Sequence, residues 1–413
     1  MRRSTTILCL CLLMGCGLGG QRGGRSGAGG GGPGDGERQV EGAGGEGLGE
    51  GADDANEEPP DEGAEGGGGD EGEAGEPDVI VPPVGGDPCD DEGAAQNCGG
   101  PILGTCDPGW RWCVAGEWTD CEQFVGPVEE SCDGLDNDCD GTVDGEENGC
   151  APFDDGDPDA LSSQIEALDR MNEHRAAAGL PIVRFHPALN RAATNHAEYH
   201  RQNGGAHGED RGRPGFTGAN PGARAAYEDY DGPGALYEDM AFGLGPAGSI
   251  DTWFHSVYHR IPIVRPDAAL IGFGSYSDAE VLDVAMDGSH RGIHAFTPYD
   301  GQEEVPRNFH SNREGPDPVP GEGEVGYPIS VITAHRDVRL IEASVVTDAG
   351  EDLDLHLATS EGPHQGFLTD SVFLMPVRSM DEDTWHTVRM TYRAGGETHQ
   401  RTWRFKTGSR RFR

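Results

Sequence analysis

Lysine occurs once in this chain of 413 residues, as Lys406, and basic side chains number 30 against 74 acidic ones. A formal net charge of −44 repels phosphate backbones and anionic lipid surfaces, which excludes nucleic acid as a partner. The basic residues are almost all arginine in a Gly- and Ala-rich chain, a bias of a high-GC genome and not a phosphate-recognition pattern. No apolar run approaches the ~20 residues that a spanning helix needs. Past Cys150 there is no cysteine, so the rear of the chain must stand on its hydrophobic cores alone. A Gly-x-Ser-x-Gly turn around Ser256 is also missing. That serine lies between His255 and His259 without being a nucleophile elbow, so a serine hydrolase is not indicated.

The acidity is uneven. Residues 17–150 carry 34 Asp/Glu against 4 Arg, and residues 151–413 carry 40 against 24 Lys/Arg. Arg2 and Arg3 followed by the short apolar run Ile7 to Met14 form an export signal over residues 1–16. The signal ends in Leu13-Met14-Gly15-Cys16, which resembles the lipobox of bacterial lipoproteins. That resemblance implies cleavage before Cys16, diacylation of its thiol and a membrane anchor on the outer membrane or cell surface, with plain secretion as the alternative. Residues 17–87 are Gly, Glu, Asp and Pro with almost no large apolar side chains. Such a segment cannot offset about 1–2 kcal/mol of backbone ordering entropy per residue and is expected to be a disordered, self-repelling linker.

Eight cysteines crowd the next stretch, residues 88–150: Cys89, Cys98, Cys106, Cys113, Cys121, Cys132, Cys139 and Cys150. An even number so closely packed predicts disulfides in an oxidising compartment, with 105 pairings open. Within it, Asp136-Asn137-Asp138-Cys139-Asp140-Gly141-Thr142-Val143-Asp144-Gly145-Glu146-Glu147 fits a twelve-residue calcium loop. Its expected ligands are Asp136, Asp138, Asp140, the Thr142 carbonyl, Asp144 and Glu147, with Gly141 at the sharp turn. No helical pattern flanks it, so it is not an EF-hand pair. The run from Gly104-Thr105-Cys106 through Gly116-Glu117-Trp118 to Glu130-Ser131-Cys132-Asp133-Gly134-Leu135-Asp136 closely resembles a MopE-type repeat. That resemblance implies a metal-binding module of bacterial surface proteins; aspartates that only cap turns in a disulfide knot are the alternative.

From Asp157 the texture becomes globular. Asp157 as N-cap, Pro158 in the first turn and apolar Leu161, Ile165, Leu168 and Met171 predict one helix. A second runs from Pro187 to about Asn203, and Ser249 caps a third with Ile250, Trp253 and Val257 inward. Gly208 to Gly234 reads as a long loop with Phe216 and Tyr227 at the rim of a cleft, and Leu270–Gly274 and Val281–Met286 as strands. Beyond about residue 296 the helical period disappears. Val338–Val346, Leu353–Ala358, Ser371–Val377, Thr387–Tyr392 and Thr402–Lys406 predict an immunoglobulin-like β-sandwich.

The chemistry concentrates in Ala206-His207-Gly208-Glu209, in Tyr237-Glu238-Asp239-Met240-Ala241-Phe242-Gly243, and in Trp253 to Arg260. Their order and spacing are expected to bring His207, His259 and Glu238 into one cleft, as a divalent-metal site or an acid/base pair. With Met171-Asn172-Glu173-His174-Arg175, Pro187-Ala188-Leu189, His196-Ala197-Glu198-Tyr199 and Ile271-Gly272-Phe273-Gly274, these segments make region 158–287 similar to the bacterial branch of the CAP superfamily. The resemblance implies an α-β-α sandwich whose two cleft histidines fall on His207 and His259 and whose cleft glutamate falls on Glu238. The second family glutamate is Ser256 here, which shortens the ligand set. His196 and His200 share a zinc-compatible spacing but read as core histidines bonded to backbone. His255 is expected to point to solvent, Glu209 and Asp210 to be solvated loop charges, and Arg260 to form a structural ion pair. The expected fold class is therefore multidomain: the disulfide-rich module, an α+β CAP domain over 151–292, and a β-sandwich over 293–413. The expected function is an exported binding module with Ca2+ in the Cys-rich loop and Zn2+ in the cleft, acting on an unidentified surface or extracellular ligand. A metal-assisted hydrolase of cell-surface peptide or polysaccharide is the alternative, and a purely structural adhesin the third reading.

Overall fold

The computed structural model describes residues 83–100, 103–145, 149–151, 153–362 and 365–411. The export signal, Cys16, most of the acidic linker and Glu147 lie outside the described residues. In the Cys-rich stretch, β1 (Ala95–Asn97), β2 (Trp110–Val114) and β3 (Glu117–Trp118) form one small antiparallel sheet. So short a sheet buries little beyond Trp110, Cys113, Leu135, Cys139 and Cys150, and covalent links take over the work of a core. The pairs are Cys89–Cys113, Cys98–Cys121, Cys106–Cys139 and Cys132–Cys150. Cys132–Cys150 brackets the acidic loop, and Cys106–Cys139 holds it from within.

The next layer is built by α1 (Ser162–Ala177), β4 (Arg184–Phe185), α2 (Pro187–Asn203), α3 (Pro221–Tyr227), β5 (Ala235–Phe242), α4 (Pro246–Phe254), α5 (Arg260–Val264), β6 (Ala268–Tyr276) and β7 (Ala279–Met286). The sheet order is β4-β6-β7-β5, with β4 parallel to β6 and the other pairs antiparallel. Alternation along the strands sorts the two faces. Ile271, Phe273, Leu282 and Val284 share a core with Leu168 and Met171 of α1, Ile250 and Trp253 of α4, and Ile263 of α5. Val281 and Met240 meet Ala193 and Ala197 of α2, and Ala285 meets Leu189 of α2 and Ala225 of α3. A Cβ at Gly272 would stand 2.1 Å from the Leu189 carbonyl carbon, and one at Gly274 2.1 Å from Thr194 N. Helix α2 therefore lies directly on the backbone of β6.

The helix starts differ from the sequence expectation. Helix α1 begins at Ser162, and Asp157 instead accepts from Asn190 Nδ2 at 2.8 Å, tying the approach segment to α2. Leu161 and Ile165 are exposed, because the buried stripe runs Gln164, Ala167, Leu168, Met171 and Arg175 and Ile165 falls one position off it. Ser249 lies inside α4, which opens at Pro246, whose fixed φ suits a first turn.

The rear of the chain contributes β8 (His294–Thr297), β9 (Asn308–His310), β10 (Glu324–Gly326), β11 (Ile329–Thr333), β12 (Arg339–Thr347), β13 (Leu355–Ala358), β14 (Ser371–Pro376), β15 (Trp385–Ala394) and β16 (Glu397–Lys406). Strands β13-β14-β11-β8 form a four-stranded antiparallel sheet and β12-β15-β16 a three-stranded one, with β9 and β10 paired apart. Val331, Val372 and Leu374 of the first sheet pack with Val388, Tyr392, Trp403 and Phe405 of the second. The other face of the first sheet, Ile332, Phe373 and Met375, belongs to the same core as Trp253 and Val257. The expected boundary at residues 292/293 is thus crossed by one continuous hydrophobic core.

Candidate functional site

Glu238 sits on β5 directly opposite Asp283 of β7 in the antiparallel register, on the α2/α3 side of the sheet. Its Oε1 lies 2.9 Å from His207 Nδ1, and its Oε2 accepts from the Arg224 guanidinium. Arg224 comes from α3, inside the stretch read as a loop, and also donates to the His207 carbonyl at 3.0 Å. Arg224 and Asp283 are fully buried, Glu238 nearly so, and the His207 side chain is 31% exposed. Burial alone would raise the Glu238 carboxyl. The Arg224 cation overrides it, helped by His207 and His196, and holds the group at about 2. Asp283 goes the other way: burial and the facing Glu238 charge push it well above the ordinary carboxyl range.

A second buried pair backs this one. His196 Nδ1 lies 2.9 Å from Glu209 Oε1, and its Nε2 is 3.1 Å from the Ala206 carbonyl. His200 Nε2 is 2.9 Å from the Gly205 carbonyl, so both α2 histidines bond backbone. Glu209 is not the solvated charge the sequence suggested. It is buried, accepts from Thr217 N at 2.7 Å and Gly218 N at 3.1 Å, and stays below its usual pKa against burial. It thereby pins the turn that carries His207.

His259 occupies a different setting. It is buried, with Nδ1 3.2 Å from Ser256 Oγ and 3.3 Å from Glu314 Oε2 of the rear region. His255 does not point to solvent either. It is buried against Tyr327, its Nδ1 2.7 Å from the phenol oxygen, because the rear strands cover that side of α4. Arg260 is structural but rests on neutral acceptors: the carbonyls of Phe254 and Pro328 and the hydroxyls of Thr297 and Ser330. Arg265 pairs with Asp267 and with Asp370 of β14's approach.

These residues do not fit the zinc centre expected from the sequence. Among the described residues, His207, Glu238 and His259 do not bring ligand atoms within 4.8 Å of one another. Arg224 already supplies a cation at Glu238, and Glu314 and Ser256 stand against His259 Nδ1. The acidic loop does converge: Glu130, Asp136 and Asp138 each offer an oxygen, all within 4.8 Å. Asp136 is buried, and its Oδ1 has no hydrogen-bond partner. Asp140 accepts from Thr142 N at 2.7 Å near the surface, and Asp144 caps Gly134 N with both oxygens at 3.0 Å. Glu130 was missed in the sequence because it precedes the twelve-residue loop. Arg224 was missed because the helix carrying it has only seven residues, although Asn220-Pro221 is a helix-start signal.

Residues 168–286 match the cysteine-rich secretory protein family, CAP. This part of the chain is a CAP domain. No curated protein gave a match. Among solved structures, the chain is similar to an extracellular protein containing an SCP domain from Bacillus anthracis strain Ames, at 14% identity and a TM-score of 0.27, over 50% of this chain and 68% of that one. The CAP match ends at β7, so the rear sheets that cover His255 and His259 are an addition to the matched domain.

Proposed function

We propose that the protein is an extracellular interaction module whose CAP domain recognises its partner at the His207 end of the cleft. The observation that carries this reading is the His207 imidazole, about a third exposed, held by a buried Arg224–Glu238–Asp283 network. Such a network fixes one polar group at a surface without supplying a nucleophile or an open metal position. The four disulfides suit an oxidising compartment, and the lipobox-like Cys16 and the acidic linker would tether the folded part to a membrane. The rear sheets are read as an immunoglobulin-like sandwich that buttresses the cleft. The acidic loop is read as a Ca2+ site in which Glu130, Asp136 and Asp138 supply hard oxygen ligands, and the unbonded Asp136 Oδ1 suits such a cation.

The test is capture of surface material by the full chain and by His207→Ala. The reading expects retention by wild type and loss by the folded variant, with no turnover of captured peptide or polysaccharide. Equal retention by both removes His207 from recognition. Calorimetric titration with Ca2+ tests the loop, and no heat with no rise in Tm contradicts that part.

A further inference from the structure

Glu314 follows the single 3-10 turn Ser311–Arg313 between β9 and β10, and its carboxylate reaches into the CAP domain. Val257 N donates to Oε1 at 3.0 Å across 57 residues of sequence, and His259 Nδ1 stands 3.3 Å from Oε2. Ser256 Oγ accepts from the His259 backbone N–H at 3.2 Å and lies 3.2 Å from its Nδ1, so the turn is fixed by its own residues. Ser256, Val257, His259 and Glu314 are all buried. Burial raises a carboxyl pKa, yet the His259 imidazole and the Val257 amide keep Glu314 below its ordinary value.

The hydrogen bond to Oε1 from Val257 and the ion-pair contact of His259 with Oε2, which accepts no hydrogen bond itself, both come from residues 256–259, and the carboxylate comes from another segment. We propose that the Ser256–His259 turn of the CAP domain is a carboxylate receptor, and that Glu314 is its built-in occupant. The ligand class is a carboxylate, the side chain or C-terminus of an acidic peptide, and in this chain the receptor is closed from within. A receptor of this kind differs from a plain buried ion pair in one testable way. With the occupant side chain removed, it retains its selectivity for the carboxylate shape, whereas a mere gap fills with any small anion or water. The proposal is independent of the role given to His207.

The test is Glu314→Ala in the full chain, melted in formate, acetate or chloride at equal ionic strength. The variant is expected to melt below wild type, and millimolar formate or acetate to restore a large part of the lost Tm in a saturable way. Chloride restores nothing, and wild type responds to none of the three. Glu314→Gln, which keeps the shape and fills the site without the charge, is not rescued. An equal response of Glu314→Ala to chloride and formate overturns the proposal, as does no response in a folded variant. Should Glu314→Ala not fold unaided, its refolding yield gives the same reading: formate must raise it above chloride, and equal yields overturn the proposal.

Discussion

Two carboxyls face each other across the edge strand β5 and its neighbour β7, and their environments drive them apart. Glu238, held at about 2 by Arg224, contributes stability that is present above its unfolded pKa and is lost as pH falls toward 2. Asp283 is raised, so the unfolded chain releases that proton first, and stability is lost as pH climbs above the ordinary carboxyl range. Asp283→Asn keeps a neutral hydrogen-bonding group in place and removes this penalty. It should raise Tm at pH 7, by roughly 2–4 °C for each kcal/mol recovered, and leave Tm near pH 3 almost unchanged. A loss of stability at pH 7 with little change near pH 3 would show that Asp283 is ionised in the fold. Arg224→Met should be far more damaging, because it leaves Glu238 buried without its cation. Losing one partner of a buried pair costs about 3–5 kcal/mol, measured by urea denaturation, and a change below 1 kcal/mol would remove Arg224 from the network.

At the level of elements, the helix-on-strand contact of α2 with β6 depends on Gly272 and Gly274. Gly274→Ala would push a methyl into the Thr194 backbone and should cost about 1–3 kcal/mol or more, with His207 displaced through the shifted α2 and the turn that follows it. An unchanged Tm would mean that helix and strand are not in backbone contact. Much of this level was legible in the sequence. Helix α2 has the bounds its apolar spacing predicts, and β6, β7 and β12 to β16 fall close to their predicted runs, whereas β8 to β11 were not assigned. The failures have physical causes. Helix α1 was started early because Asp157 looks like a cap but serves as an acceptor for Asn190. Strand β5 carries Glu238 yet was not assigned, since Ala235–Phe242 mixes two acidic residues with apolar ones and its pairing partner lies 37 or more residues away.

At the scale of the molecule, the decisive feature was hidden from local pattern reading. Strand β14 is buried at all six positions, with Phe373 and Met375 facing the CAP core and Val372 and Leu374 facing the core shared with β15 and β16. A continuous apolar run of that kind marks a strand covered on both sides, but not by what. The front module is tied in as well. Asp107 pairs with Arg401, Trp110 Nε1 donates to Asp300 at 3.2 Å, and Gln123 exchanges bonds with Thr402. A fragment ending at residue 292 would strip Arg260 of three acceptors and expose Ile261, Val257 and Trp253. It should lack cooperative unfolding and bind a hydrophobic dye, whereas a fragment of residues 83–413 should melt in one transition. A cooperative, dye-free 151–292 fragment would refute the shared core. The cleft chemistry follows from the same long-range packing: Arg224 and Glu314, which local pattern did not reveal, stand against Glu238 and His259.

Titration of the full-length protein with zinc, compared with His207→Ala and Glu238→Gln, tests that central claim most directly. With Arg224 as the cation of the cleft, wild type should show no saturable zinc binding that either substitution abolishes. One equivalent of zinc bound by wild type and lost in both variants would contradict the account.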